Sequence, residues 1–252
     1  MKILTIGNQK GASAKSTIGV NLAYYGLEKG LRVLLVDLDP QASVSDEAFP
    51  AGEATGARAA ALFNDASIGI EQIEFVREGL GIFRSGSDLS AVADDDNSLK
   101  RVGRHLRGLD KYFDICIIDT PGSLNRWSKA ALFCSDSVLC PLAMGRFEAA
   151  SFETYIKVLL GIKKQGLNHR LSILGILPSK VYMQNSMERK ALEQLREGRY
   201  KSMVMPIALT LRAAVAQSVE LQKPVWKTAK DKALRATWLE MCAMVFEKLG
   251  VK

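Results

Sequence analysis

Short β-branched runs alternate with helical patterns along the whole of this 252-residue chain, and that alternation restricts the fold more than any other feature. Apolar runs at 2–7, 32–37, 80–84, 114–119, 136–141, 172–177 and 203–206 have the length of strands. Helical spacing fills the intervals near 15–29, 56–64, 97–108, 125–134, 148–164, 186–198, 209–221 and 231–249. Strands that are apolar on both faces and joined by crossover helices predict an α/β fold, a doubly wound, mostly parallel sheet with helices on both faces. The length suits one domain over 1–252, and no repeat or low-complexity linker divides it. In the last helical pattern, Leu234, Trp238, Met241, Cys242, Val245, Phe246 and Leu249 form one stripe, which predicts core packing.

The first strand runs into a small-residue loop, Lys10-Gly11-Ala12-Ser13-Ala14-Lys15-Ser16-Thr17, and then into a helix. A loop between a strand and a helix N-terminus aims successive backbone N–H groups and the positive helix end at one place, which suits phosphate. Lys15 adds charge there, and the Ser16 hydroxyl is a Mg²⁺ ligand candidate. The generic pattern G-x4-G-K-[ST] is not met, since Gln9 and Ala14 occupy its glycine positions. Two further strands end in acid: Val33 to Val36 delivers Asp37, with Asp39 just beyond, and Ile115 to Ile118 delivers Asp119. The carboxyl ends of parallel strands gather at one sheet edge, so these three aspartates are expected beside the phosphate loop.

Charge is divided unevenly. Residues 1–160 carry 17 Lys+Arg against 20 Asp+Glu, a net of −3, whereas residues 161–252 carry 17 against 7, a net of +10. A basic C-terminal part points to a polyanion, with nucleic acid ahead of a membrane surface. Apolar runs fall far short of the roughly 20 residues that cross a bilayer, and the N-terminal run lacks signal-peptide form, so a cytoplasmic protein without membrane attachment is expected. The four cysteines have no metal-type spacing and read as buried thiols.

The loop resembles K-G-G-x-G-K-[ST]-[ST], the deviant Walker A motif of the ParA and MinD ATPases, at Lys10, Gly11, Lys15, Ser16 and Thr17. Ala12 and Ala14 stand where that motif has glycine. Asn8-Gln9-Lys10-Gly11, the run Val33 to Gln41, and Asp114-Ile115-Cys116-Ile117-Ile118-Asp119-Thr120-Pro121 resemble further ParA signatures. The resemblance implies a P-loop ATPase fold and ATP with Mg²⁺ as its ligands, residues 11–17 holding phosphate. GTP is disfavoured because no N-K-x-D segment is present. It also implies roles: Lys10 reaching across a nucleotide sandwich homodimer, Lys15 on the phosphates, Asp39 placing the attacking water, and Ser16, Asp37 and Asp119 arranging the metal. Adenine contacts are implied near Pro178 and Pro206. Family members that partition cargo bind DNA without sequence preference, associate with the nucleoid and answer to a ParB-like or cargo-adaptor partner. Here Arg189, Arg212, Lys223 and Lys227 are the DNA-binding candidates, Arg212 first. Two other readings remain open at this point: a nucleotide-dependent binding protein that scarcely hydrolyses, and a MinD-like membrane-positioning ATPase.

Overall fold

A computed structural model describes residues 1–9, 13–50, 55–144 and 148–251. Seven strands, β1 (Lys2–Ile6), β2 (Val33–Asp37), β3 (Glu74–Arg77), β4 (Leu80–Phe83), β5 (Ile115–Asp119), β6 (Ser137–Ala143) and β7 (Ser172–Ser179), form one sheet in the order β3-β4-β2-β5-β1-β6-β7. Every pairing is parallel except β3 with β4. The helices are α1 (Lys15–Glu28), α2 (Asp96–Gly108), α3 (Arg126–Cys134), α4 (Glu148–Lys164), α5 (Ser186–Glu197), α6 (Ala213–Glu220), α7 (Val225–Thr228) and α8 (Lys232–Leu249).

Alternate residues of each central strand supply opposite layers, as the two-residue strand period demands. Leu4, Ile6, Leu35, Ile115 and Ile117 pack with α1, α7 and α8, whereas Ile3, Leu34, Val36, Cys116 and Ile118 pack with α2 and α3. Val138, Cys140 and Ile176 continue the second layer beneath α4. The fold is therefore the doubly wound sheet expected. The α8 stripe from Leu234 to Leu249 is buried throughout, and Asp231 caps that helix by accepting from the Ala233 and Leu234 N–H groups. All four cysteines are buried free thiols, and burial pushes those of Cys134 and Cys140 up to about 12.

Three elements differ from expectation, each because backbone groups are used elsewhere. The helix expected over 56–64 is only a 3₁₀ segment, Ala59–Phe63, since the Ala57 and Ala59 amides donate to the Gln72 and Arg84 carbonyls. The strand expected over 203–206 shrinks to one bridge, Val204 with Ile176, with Met205 N donating to Ile176 O; Pro206 has no N–H to extend a ladder. The helix expected from 209 begins at Ala213, because the Leu209 and Leu211 amides bond the Pro178 and Val181 carbonyls. The antiparallel edge strand β3 was not foreseen. It is joined to β4 through Glu78 and Gly79, the latter at φ 75°, a left-handed conformation that glycine adopts without strain.

Candidate nucleotide site

Parallel register sets the site. Ile6 of β1 lies opposite Asp119 of β5, and Asp119 lies opposite Asp37 of β2, so the phosphate loop and two acids leave the sheet at one level. Gly7 begins the loop where a Cβ would collide with the hydroxyl of buried Tyr155, so a larger residue would force that ring to shift. Asn8 Nδ2 donates to the Pro141 carbonyl at 2.6 Å and ties the loop to β6, while Ser179 Oγ donates to the Ser13 carbonyl at 3.0 Å and ties it to β7. Lys10, Gly11 and Ala12 lie outside the described residues.

Lys15 opens α1 and is only 6% exposed. The first turn of α1 has neither a side-chain cap nor an acidic residue, which leaves the positive helix end for an anion. Buried Ser13 Oγ and Asn8 Oδ1 have no hydrogen-bond partner among the described residues, as in a site shaped for a polar ligand. Ala14, at a glycine position of the motif, has φ 65° and ψ 25°. A side chain in that left-handed conformation costs about 1 kcal/mol. Ala14→Gly is accordingly expected to raise the unfolding free energy by about that amount, measured by denaturant titration, and to tighten nucleotide binding.

The acids carry the electrostatics. Ser16 Oγ donates to Asp119 Oδ2 at 2.6 Å, and Asp119 Oδ1 is buried without a partner among the described residues. Burial raises the Asp119 carboxyl to about 8, helped by the charge of Asp37 and opposed by the Ser16 hydrogen bond and the Lys15 charge. Burial also raises Asp37 to about 6, opposed by Ser45, whose N–H and Oγ donate to Asp37 Oδ2 at 2.9 and 2.6 Å. Two buried carboxylates at one level, one with an orphaned oxygen beside a serine hydroxyl, are a donor set that fits a hard divalent cation. Among the described residues no group of three or more His, Cys, Asp or Glu side chains forms an all-protein metal cage.

At the head of α1 lies a cavity of about 670 Å³ lined by Lys15, Ser16, Asp39, Asn125 and Lys180, among others; Asp37 and Asp119 are not in its lining, and Asp119 meets it through the Ser16 hydrogen bond. Its size suits a nucleotide. Ser13, Ala14 and Thr17 also line it. Pro178 and Pro206 do not. Pro178 is buried in β7 with its carbonyl accepting from Leu209, and Pro206 is exposed with its carbonyl accepting from Arg196. Lys180, the residue directly after β7, does line the cavity, a position the sequence did not single out. Asn125, Trp127 and Ser45 were also missed, because nothing in their spacing marks them.

The basic candidates Arg189, Arg212, Lys223 and Lys227 are all exposed. Arg189 is on α5; Arg212 precedes α6, Lys223 follows it and Lys227 is in α7, which packs on α6. Lys227 Nζ pairs with Glu28 Oε1 at 2.8 Å, so part of its charge is already answered.

Comparison with known proteins agrees with this geometry. An AAA domain model matches residues 1–173. Chromosome partitioning protein ParA of Myxococcus xanthus is 30% identical over 229 residues, covering 89% of this chain and 80% of ParA. The chain belongs to the ParA family of partition ATPases. Protein IncC of Escherichia coli, another relative, is 31% identical over 248 residues, covering 94% of this chain; this ParA-family chain spans 66% of the IncC length. In fold it superimposes on a McdA–ATP complex from Cyanothece with a TM-score of 0.86 at 20% identity, covering 100% of this chain and 97% of McdA. Among the described residues no helix is long and apolar enough to cross a membrane.

Proposed function

We propose that this ParA-family protein is a cytoplasmic, nucleoid-associated, single-domain ATPase that closes as a homodimer around ATP and Mg²⁺. In that state it binds DNA without sequence preference, and it moves or positions a cargo whose ParB-like or adaptor partner stimulates hydrolysis. The observation that carries this reading is one nucleotide-sized cavity at the head of α1 bordered by Lys15, Ser16 and Asp39, with Asp119 joined to it through the Ser16 hydroxyl. The ATP in the McdA structure supports the choice of nucleotide.

Lys15 would meet the phosphate charge, and the amides of the first turn of α1 would bind phosphate oxygens. Ser16, Asp37 and Asp119 would hold Mg²⁺, which neutralises charge on the phosphates when bound. Asp39 would accept a hydrogen bond from the water whose oxygen bonds to the γ-phosphorus as the bridge to the β-phosphate breaks, leaving ADP and phosphate. Lys10 would reach the partner's phosphates, and a residue larger than Gly11 would crowd the partner subunit. ATP then favours one quaternary state and hydrolysis removes the preference.

Strain at Ala14 favours one second reading, a nucleotide-dependent binding protein with little turnover. Phosphate release measured with and without DNA separates the two, and complete absence of release supports the second.

The DNA step is tested by anisotropy of a labelled duplex. Retention is expected with ATP and Mg²⁺, not with ADP, and should weaken steeply with salt. Arg212→Ala should lower affinity equally for unrelated sequences and reduce the salt slope by about 1. Unchanged binding by that variant would remove Arg212 from the interface.

A further inference from the structure

The loop that carries Asp39 is gripped from the edge hairpin by a buried polar network. Arg84, directly after β4, is 6% exposed, and Glu74 of β3 is 9% exposed. The Arg84 guanidinium donates from Nε and Nη2 to the two Glu74 oxygens at 2.8 and 2.7 Å. Its Nη1 donates to the Ser45 and Phe49 carbonyls, both at 2.6 Å. Those carbonyls belong to the π-helical turn Ser43–Ala48 and the residue after it, which follow directly on the Asp39 loop.

Two serines extend the grip to the acids. Ser45 Oγ donates to Asp37 Oδ2 at 2.6 Å and accepts from Ser85 N at 2.9 Å. Ser85 Oγ donates to the Asp39 carbonyl at 2.7 Å. The network thus touches the Asp37 carboxylate and the Asp39 backbone but adds no side chain to the cavity lining.

A buried ion pair is a poor way to gain stability, because an apolar pair of similar volume commonly does as well or better. What a planar guanidinium supplies is direction: bidentate to one carboxylate and, on its other edge, two carbonyls of one turn. Glu74 also gives the four-residue β3 a purpose, since that strand carries the counter-charge to the point where Arg84 meets the turn.

We propose that Arg84 and Glu74, acting through the positioning residues Ser45 and Ser85, form a latch that fixes Asp37 and Asp39 in the geometry required for ATP hydrolysis. This rests on the reading of Asp39 as the residue that places water. The latch does not touch nucleotide, so its loss should act on turnover rather than affinity, as small misplacements of reacting groups do.

The test uses the full chain with Ser45→Ala and Ser85→Ala, each of which removes one hydroxyl and keeps the ion pair. In steady-state phosphate release with ATP and Mg²⁺, both variants should lose about 10-fold in kcat with KM for ATP within about 2-fold. Amide hydrogen exchange over residues 38–49 should quicken in Ser85→Ala while exchange in the core strands is unchanged. Unchanged kcat in both variants, under conditions where Asp39→Ala abolishes release, overturns the latch. Should the unmodified protein release no phosphate under any condition, the hydrolytic reading fails instead. Exchange then decides the latch: faster exchange confined to 38–49 supports it, and unaltered exchange overturns it.

Discussion

Asp39→Ala is expected to lower phosphate release by about 100-fold or more while ATP binding stays within a few-fold of the unmodified protein. The expectation follows from placement. Asp39 lines the cavity and is half-buried, with Oδ1 accepting from its own loop at Gln41 N, so it adds a carboxylate edge without bracing the fold. Charge attraction for the phosphates comes from Lys15 and the helix end, which the substitution leaves intact. Single-turnover release, together with titration of a fluorescent ATP analogue, separates the two quantities. Equal losses in both would mean that Asp39 binds nucleotide rather than placing water.

Asp119→Asn should have opposite effects on activity and stability. The amide keeps an acceptor for Ser16 Oγ but removes one of two like charges from a buried site. Because the folded carboxyl is raised from 3.8 to about 8, the folded chain holds this proton more tightly than the unfolded chain. Its contribution to stability is complete below 3.8 and is lost as pH rises through about 8. At pH 8.5, without nucleotide or metal, Asp119→Asn is expected to be more stable than the unmodified protein by about 1 to 3 kcal/mol, with a smaller gap toward pH 5. Mg²⁺-dependent hydrolysis should fall by about 100-fold. Thermal melts at the two pH values check the first part. A variant less stable than the parent at pH 8.5 would show that Asp119 is a structural acceptor and not a charge awaiting a cation.

The central sheet was legible because β2 and β5 are buried on both faces, so each reads as an unbroken apolar run ending in its acid. That placement also made Asp37 and Asp119 readable as acids meeting at one sheet edge. β3 escaped because it has four residues and one outward side, on which Phe75 is 50% exposed; such a strand has little pattern to read. The stretch 203–212 was misread because its amides bond along β7, a tertiary choice that overrides local preference. Ser45 and Lys180 depend on the path of loops, and Pro178, two residues before Lys180, is buried in β7 and does not line the cavity. The basic segments were visible as composition, but their faces required the arrangement of α5, α6 and α7.

We propose that ATP, held at this site, switches the chain between quaternary states. It is tested most directly by the solution mass of the Asp39→Ala protein, in which slow turnover preserves the bound nucleotide. With ADP and Mg²⁺ the account predicts the 27.6 kDa monomer, and with ATP and Mg²⁺ a species of about twice that mass. One mass in both nucleotides, at concentrations where both are bound, would contradict it.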